Sequence, residues 1–289
     1  MAPNHHTADR ILVVDDDRTT RHVTRTLLAK AGFTVRVAKD GAEAIERLRA
    51  SRFDLMLLDV WMPRMDGLAV LDKIKRIKQR PKVIVLTSDD TPETLLRAIR
   101  QRANQIARKP IEPMALLSLV REAITSGPEL PIDVISARAN WVELAVPCTR
   151  AAADRLRSVL SHLDANLPED VRESVGFAFR ELVLNAVEWG GKLDPKRKVR
   201  ISYLRAKRML LYRIADPGPG FKMEGLDHAA ISHPDDPIEH MNVRQQQGLR
   251  AGGFGILMVR AKVDELIYNE KRNEVLFVKY LDGTSGNQL

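Results

Sequence analysis

The N-terminal half of the chain alternates short, mostly apolar runs with longer segments of mixed polarity. The runs are Ile11–Val14, Phe53–Leu58, Val83–Leu86 and the shorter Ile106-Ala107. Apolar runs of this length are typical of strands that are buried on both faces of a sheet. Parallel sheets covered by helices contain such strands, so the pattern predicts an α/β domain.

Residues of distinct chemistry stand at or just after the ends of these four runs. Asp15 and Asp16 follow the first run, Asp59 the second, Thr87 the third and Lys109 the fourth. The carboxyl ends of parallel strands meet at one edge of a sheet, so we expect these side chains to lie close together. Three neighbouring carboxylates repel one another and favour a hard divalent cation such as Mg²⁺. The ammonium and the hydroxyl are suited to hold a phosphoryl group beside that cation.

These five residues, with the turn Met62-Pro63 and Asp66-Gly67, resemble the receiver domain of two-component response regulators. The resemblance covers residues 8–125, and the alternative is a chance acidic cluster in an α/β domain. It implies a flavodoxin-like (βα)5 fold in which Asp59 accepts a phosphoryl group from an upstream histidine kinase. Receivers often carry an aromatic residue at the position that Ile106 occupies, so an aromatic switch is not expected in this chain.

A second set of polar residues lies on a predicted helix that starts at Pro168–Asp170. Glu181 and Asn185 are one turn apart and share a face of this helix, which Glu188 extends. The carboxylate can position a water or a hydroxyl while the amide oxygen ligates Mg²⁺. The same segment is also compatible with an ordinary amphipathic helix that has a polar outer face.

A glycine-rich turn follows two predicted strands, at residues 198–205 and 209–215. Asp216 begins this turn, which contains Gly218 and Gly220. A carboxylate beside a tight turn of this kind can accept a hydrogen bond from the exocyclic amine of adenine, because glycines let the backbone approach the ring closely.

A second glycine-rich block opens the apolar helix predicted at Ile256–Val259. It contains Gly252, Gly253 and Gly255. Backbone N–H groups at a helix N-terminus behind flexible glycines are suited to bind a polyphosphate.

The helix and the two glycine-rich blocks together resemble the nucleotide-binding boxes of the GHKL ATPase superfamily, over residues 135–285. The compact form, with a short strand at Trp141–Val146 and no added dimerisation helices, is most similar to the serine kinases that act as anti-sigma factors. The resemblance implies an α/β-sandwich fold with bound ATP.

By this resemblance, Asn185 is the Mg²⁺ ligand, Asp216 the adenine anchor and Glu181 the general base. The five glycines of the two blocks bind the nucleotide, and the span between Gly220 and Gly252 forms a lid. Its histidines are not spaced like zinc ligands, so we interpret them as solvated residues.

Composition is consistent with two domains and limits the other classes of function. The chain has 289 residues, of which 44% are hydrophobic. We assign residues 1–125 to the receiver, 126–136 to a linker and 137–289 to the ATPase domain. We expect a cytoplasmic protein, because the sequence shows no membrane-spanning segment and no signal peptide. A single cysteine, Cys148, excludes an internal disulfide and is interpreted as structural.

Most of the net charge of +8 lies in the first 125 residues, which hold 23 basic and 16 acidic residues. Part of it is the basic run Lys73–Lys82, in which Ile74 and Ile77 are predicted to face inward at helical spacing. We interpret the run as a solvated helix face or a docking surface. It lacks interleaved aromatic residues, so direct binding to nucleic acid is not expected.

The sequence thus predicts a response regulator in a phosphorelay whose output domain is an ATP-dependent serine/threonine kinase of the anti-sigma-factor type. The expected partners are an upstream histidine kinase and a STAS-type anti-anti-sigma protein, a sigma factor, or both. The alternative is a nucleotide-dependent binding module that sequesters such a partner with little catalysis. A third hypothesis is that the ATPase domain phosphorylates its own receiver or a histidine on another protein. The sequence leaves open whether the chain forms a homodimer.

Overall fold

A computed structural model of the chain describes residues 9–77, 79–89, 91–127, 130–138, 140–164, 166–221 and 255–281. The chain divides into two compact units, Met1–Glu129 and Leu130–Leu289. Within the described residues, no helix is both long enough and apolar enough to cross a membrane.

The N-terminal unit is a five-stranded parallel sheet with the strand order β2-β1-β3-β4-β5. This order confirms the predicted flavodoxin-like (βα)5 fold. Its strands are β1 (Arg10–Val14), β2 (Thr34–Ala38), β3 (Leu55–Asp59), β4 (Lys82–Thr87) and β5 (Gln105–Arg108). Its helices are α1 (Arg18–Lys30), α2 (Gly41–Ala50), α3 (Gly67–Ile74), α4 (Pro92–Arg100) and α5 (Pro113–Thr125).

Side-chain caps begin the first four of these helices. Asp17, Asp40, Asp66 and Thr91 each accept a hydrogen bond from a backbone N–H in the first turn of the helix that follows. Such caps satisfy donors that the helix itself leaves without a partner. They fix where each helix leaves the functional edge of the sheet.

The basic run does not form one helical face, because α3 ends within it. Helix α3 ends at Ile74, which is fully buried, and Ile77 lies half-buried beyond the helix. Lys82 opens β4, and its Nζ donates to the carbonyl oxygens of Ala123 (2.6 Å) and Ser126 at the end of α5. The last lysine of the run therefore stabilises a helix terminus, where orphan carbonyls need donors.

The C-terminal unit is a six-stranded antiparallel sheet with the order β10-β11-β9-β8-β7-β6 and with helices on one face. The strands are β6 (Asp133–Arg138), β7 (Trp141–Pro147), β8 (Lys198–Arg205), β9 (Met209–Ala215), β10 (Glu265–Tyr268) and β11 (Glu274–Tyr280). The helices are α6 (Arg150–Leu163), α7 (Glu169–Asn185) and α8 (Gly255–Lys262), and a π-helical segment, Ala186–Gly190, continues α7. This architecture confirms the predicted α/β sandwich.

The core of the C-terminal unit is built around the fully buried Tyr212. Its ring stacks on Phe277 with centroids 4.8 Å apart and tilts against Phe179 of α7 at 5.4 Å. Alternation along β9 places Tyr212 toward the helices and its chain neighbours toward the opposite face.

Strand β6 lies at one edge of this sheet and was not predicted. It pairs antiparallel with β7, with an irregularity between Val134 and Ser136. Residues 133–136, which the sequence assigns to the linker, therefore belong to the sheet. The strand is half-exposed and irregular, which weakens the alternation that would have indicated it.

Candidate functional site

The first candidate site lies at the carboxyl edge of the parallel sheet, where β1, β3 and β5 end. Carboxylate oxygens of Asp15, Asp16 and Asp59 all lie within 4.8 Å of one another. Asp15 and Asp59 are buried, whereas Asp16 is exposed. Nζ of Lys109 lies 2.7 Å from Oδ2 of Asp15 and 3.0 Å from Oδ2 of Asp59. Residues from three strand ends thus form one cluster.

Burial and charge act in opposite directions within this cluster. Burial raises the pKa of Asp59, and the negative charges of Asp15 and Asp16 add to this effect, whereas the bond to Lys109 opposes it. Burial acts to lower the pKa of Lys109, but its bonds to Asp15 and Asp59 outweigh burial and raise it. One ammonium shared among three carboxylates leaves negative charge in excess. A set of hard oxygen donors with excess negative charge fits Mg²⁺.

Thr87 ends β4 at the same edge and is 1% exposed. Its hydroxyl donates to the carbonyl oxygen of Asp89 (3.2 Å) and accepts from the N–H of the same residue (3.0 Å). Oδ2 of Asp89 in turn accepts from the hydroxyl of Thr94 in α4 (2.7 Å). The hydroxyl is therefore linked to the loop that leads into α4, and a new partner for Thr87 would disturb that loop.

Gly67 has a role that the sequence indicates only as part of an Asp-Gly turn. A Cβ at this position would lie 2.1 Å from the carbonyl oxygen of Asp59. The N–H of Gly67 donates to the carbonyl oxygen of Val60 (2.8 Å). Only glycine lets α3 begin this close to the end of β3.

The second candidate site lies in the C-terminal unit, at the end of α7. Glu181 and Asn185 stand one turn apart in this helix, as predicted. Among the described residues, neither side chain has a hydrogen-bond partner, so both are available to a ligand. A Cβ at Gly255 would lie 2.6 Å from Oε2 of Glu181, so the first residue of α8 lies against this carboxylate. Gly252, Gly253 and the predicted lid lie outside the described residues.

Asp216 sits in a cradle of two glycines. Its Oδ1 accepts from the N–H of Gly218 (2.7 Å). A Cβ at Gly190 would lie 2.2 Å from the same oxygen, and a Cβ at Gly218 would lie 2.9 Å from Cα of Gly190. Burial raises the pKa of Asp216, opposed by the Gly218 N–H and by the charge of Arg197. Sequence reasoning missed Gly190, which ends the π-helical segment that follows Asn185.

The turn 216–220, named the base-recognition turn after the role that the sequence predicts for Asp216, ends at Gly220 with φ +85°. A Cβ there would lie 1.6 Å from the carbonyl oxygen of Lys271, so glycine is required both by conformation and by space. Amide and carboxylate groups that have no partner among the described residues, beside glycines that leave open space, fit a nucleotide. In this arrangement Asn185 would hold the metal that accompanies the phosphates and Asp216 would hold the base.

Glu188 was predicted to extend the polar stripe of α7. The helix instead widens into the π-helical segment, and Oε1 of Glu188 accepts from Nε of Arg150 in α6 at 3.0 Å. Trp189, which follows, is 51% exposed. Glu188 therefore links two helices at this end of the site.

A cavity of about 660 Å³ lies near this turn, between α8, β10 and the hairpin that joins β10 to β11. Phe221, which follows the base-recognition turn, and Tyr268 form part of its wall, with ring centroids 5.7 Å apart. Glu181, Asn185 and Asp216 do not line it. The cavity is therefore adjacent to the second candidate site rather than part of it.

Comparison with protein families gives one match for each unit. Residues 11–121 match the response regulator receiver domain. Residues 145–279 match the histidine kinase-like ATPase domain. The two matches follow the order that the sequence predicts.

Curated relatives match part of the chain. Response regulator MprA of Mycobacterium ulcerans is 38% identical over 112 residues, which cover 39% of this chain and 48% of the relative. The DNA-binding response regulator MtrA of Mycolicibacterium smegmatis is 28% identical over 201 residues, or 68% of this chain and 87% of the relative. The chain thus spans about half the length of the first of these relatives.

Solved structures also match part of the chain. Chemotaxis protein CheY4 of Vibrio cholerae is 29% identical, with a TM-score of 0.39, over 40% of this chain and 98% of its own. Response regulator protein TrrA of Thermotoga maritima, solved in complex with Mg²⁺-BeF, is 30% identical, with a TM-score of 0.37, over 40% of this chain and 98% of its own.

Proposed function

Because the chain carries a response regulator receiver domain followed by a histidine kinase-like ATPase domain, we propose that it is a response regulator with a kinase output. In this proposal an upstream histidine kinase phosphorylates Asp59. The receiver then controls an ATP-dependent serine/threonine kinase of the anti-sigma-factor type.

The acidic cluster supports the first half of the proposal. Asp59 would attack the phosphorus of the kinase's phosphohistidine through a carboxylate oxygen, the P–N bond would break and the histidine would leave, while Lys109 donates to the transferred oxygens. Asp15, Asp16 and Asp59 would hold Mg²⁺, which supplies charge neutralisation when it is bound. Thr87 would exchange its local bonds to Asp89 for a bond to the phosphoryl group, and this exchange would move the loop that leads into α4.

Glu181 and Asn185 of α7, which have no hydrogen-bond partner in the described part of the chain, support the second half. Asn185 would bind the metal that accompanies ATP, and the free Oδ2 of Asp216 would accept from the adenine amine. Glu181 would take the proton of a substrate hydroxyl as that oxygen attacks the γ-phosphorus, with ADP leaving. Its position beside Gly255 places the carboxylate near the N-terminus of α8, where a phosphate would bind.

The single observation that favours a serine kinase over a histidine kinase is the short connection between the units. Helix α5 ends at Thr125 and the ATPase sheet begins at Asp133, so residues 126–132 alone separate them. Seven residues cannot form the two-helix segment that carries the phosphorylated histidine of a sensor kinase. The substrate class, a serine or threonine of a STAS-type anti-anti-sigma protein, follows from the resemblance to anti-sigma-factor kinases.

Transfer of label from γ-labelled ATP to STAS-type proteins tests the proposal. We expect label on a serine or threonine, a change in rate when the protein is treated with acetyl phosphate, and loss of label in Glu181→Gln with ATP binding retained. The response to acetyl phosphate should disappear in Asp59→Asn but persist in Asp66→Asn, because asparagine can keep the helix cap.

Three other results would contradict this assignment in different ways. If the protein binds ATP without phosphoryl transfer and captures a sigma factor in an ATP-dependent way, it is a nucleotide-dependent binding module and not a kinase. Label that stays on the protein itself and is lost in Asp59→Asn would indicate phosphorylation of its own receiver. Absence of ATP binding would refute the proposed output altogether.

A further inference from the structure

The hairpin turn that joins β10 to β11 holds the base-recognition turn from one side. The N–H of Asp216 donates to the carbonyl oxygen of Asn273 (2.8 Å). Nδ2 of Asn273 donates to the carbonyl oxygen of Gly218 (3.2 Å). Asn273 thus contacts the base-recognition turn through both its backbone and its side chain, across 55 residues of sequence from Gly218.

The amide of Asn273 is itself held in one orientation by Asn269. Oδ1 of Asn273 accepts from Nδ2 of Asn269 (2.8 Å), which leaves Nδ2 of Asn273 directed at Gly218. Oδ1 of Asn269 accepts from the backbone N–H groups of Asn273 and Glu274, both at 3.1 Å. A side chain with this many fixed partners has few alternative rotamers, so the hairpin turn is a preorganised support.

A second support comes from another segment of the chain. The guanidinium of Arg197 donates to the carbonyl oxygen of Pro217. Two consecutive carbonyls, of Pro217 and Gly218, are therefore bound by side chains from outside the glycine-rich blocks. With these carbonyls fixed, the N–H of Gly218 points at Oδ1 of Asp216 and leaves Oδ2 for a ligand.

We propose that Asn273 is a positioning residue that sets the base selectivity of the nucleotide site, an inference that rests on the proposed function. A fixed carboxylate acceptor pairs with the 6-amino group of adenine, a donor. Hypoxanthine carries an acceptor oxygen at the same place, which the carboxylate repels. A turn released from Asn273 lets the Asp216 carboxylate rotate away from that oxygen, so discrimination between the two bases falls.

The test compares the dissociation constants of ATP and inosine triphosphate for the full chain in the presence of Mg²⁺. The variants are Asn273→Ala, which removes the amide, and Asn273→Asp, which keeps an acceptor for Asn269 but removes the donor to Gly218. The control is Lys271→Ala, which truncates an exposed side chain in the same hairpin turn. We expect the preference for ATP to fall about fivefold in both Asn273 variants, equivalent to about 1 kcal/mol, and to stay unchanged in the control.

Equal weakening of both nucleotides in the Asn273 variants would refute the inference, because it would mean that the residue supports the fold and not the base. An unchanged preference in Asn273→Asp, the milder variant, would refute it as well. A wild-type chain that binds neither nucleotide would refute the proposed function and the inference together, whereas tight ATP binding with an unaltered preference refutes the inference alone.

Discussion

A buried carboxylate at the end of α6 provides a sharp test of the packing in the C-terminal unit. Asp164 is 5% exposed, and its two oxygens accept from the hydroxyls of Tyr203 (3.1 Å) and Tyr212 (2.5 Å). Replacing Tyr212 with phenylalanine removes one donor and keeps the ring that stacks on Phe277. The perturbation is therefore confined to one hydrogen bond.

The expected magnitude depends on the charge of Asp164. A hydrogen bond to an ionised group contributes about 1.5 to 3 kcal/mol, and one between neutral groups about 0.5 to 1.5 kcal/mol. Because Tyr212 is fully buried, water cannot replace the lost hydroxyl without opening the core. We therefore expect Tyr212→Phe to lower the free energy of unfolding by about 2 kcal/mol where Asp164 is ionised, and by about 1 kcal/mol where it is protonated.

The pH dependence follows from the pKa of Asp164. Burial raises this pKa above its ordinary value of 3.8, although the bonds from Tyr212 and Tyr203 and the charge of Arg205 oppose the rise. The folded state therefore binds the proton more tightly than the unfolded state, and the stability linked to this group is lost as pH rises through the folded pKa. Loss of the Tyr212 donor raises that pKa further. The penalty of Tyr212→Phe should grow with pH and then level off.

Urea unfolding of the full chain, followed by tryptophan fluorescence, can measure this penalty once the receiver contains no tryptophan. A Trp61→Phe background leaves Trp141 and Trp189 as fluorescent reporters in the C-terminal unit. Tyr212→Phe should be compared with Asp164→Asn, alone and combined, between pH 4 and pH 8. A penalty below about 0.5 kcal/mol, a penalty that is independent of pH, or a pH dependence that persists in the Asp164→Asn background would refute the reasoning.

Two further predictions concern single positions with a matched control. Lys82→Met should destabilise the receiver by about 1.5 to 3 kcal/mol, because it removes the donor to the carbonyls at the end of α5. The control Lys75→Met, which breaks an exposed ion pair, should change stability by less than about 0.5 kcal/mol. Equal effects of the two variants in thermal unfolding would contradict the capping role of Lys82. Gly190→Ala should weaken ATP binding by about tenfold or more, because its Cβ would lie 2.2 Å from Oδ1 of Asp216. The control is Gly176→Ala, which has open space around it in α7 and should keep the affinity for ATP while adding about 0.5 to 1 kcal/mol of stability. Retained ATP affinity in Gly190→Ala would show that the backbone around Asp216 can shift to accept a Cβ without weakening nucleotide binding.

Local patterns predicted two strands to the residue. Strands β8 and β9 were predicted at residues 198–205 and 209–215, and the structure confirms these bounds. These segments combine a clear hydrophobic period with a proline, a glycine or a charged turn at their ends, and both signals are encoded within a few residues. Strand β6 and the π-helical segment lack such signals, because an irregular edge strand and one widened helical turn depend on what packs beside them.

The sequence alone determined which residue types stand at each strand end, and hence the chemistry available at each edge. It determined the Glu181 and Asn185 pair and the glycine turn after Asp216, because each is local to one helical turn or one strand end. It indicated the acidic cluster only through the rule that parallel strands end at one edge of a sheet. Tertiary structure decided which distant groups bind these residues directly: Nζ of Lys109 pairs with both Asp15 and Asp59, and Asn273 binds the turn at Gly218, 55 positions away. Such contacts follow from the order and register of strands, which depend on packing over the whole sheet, and no neighbouring stretch of sequence carries that information.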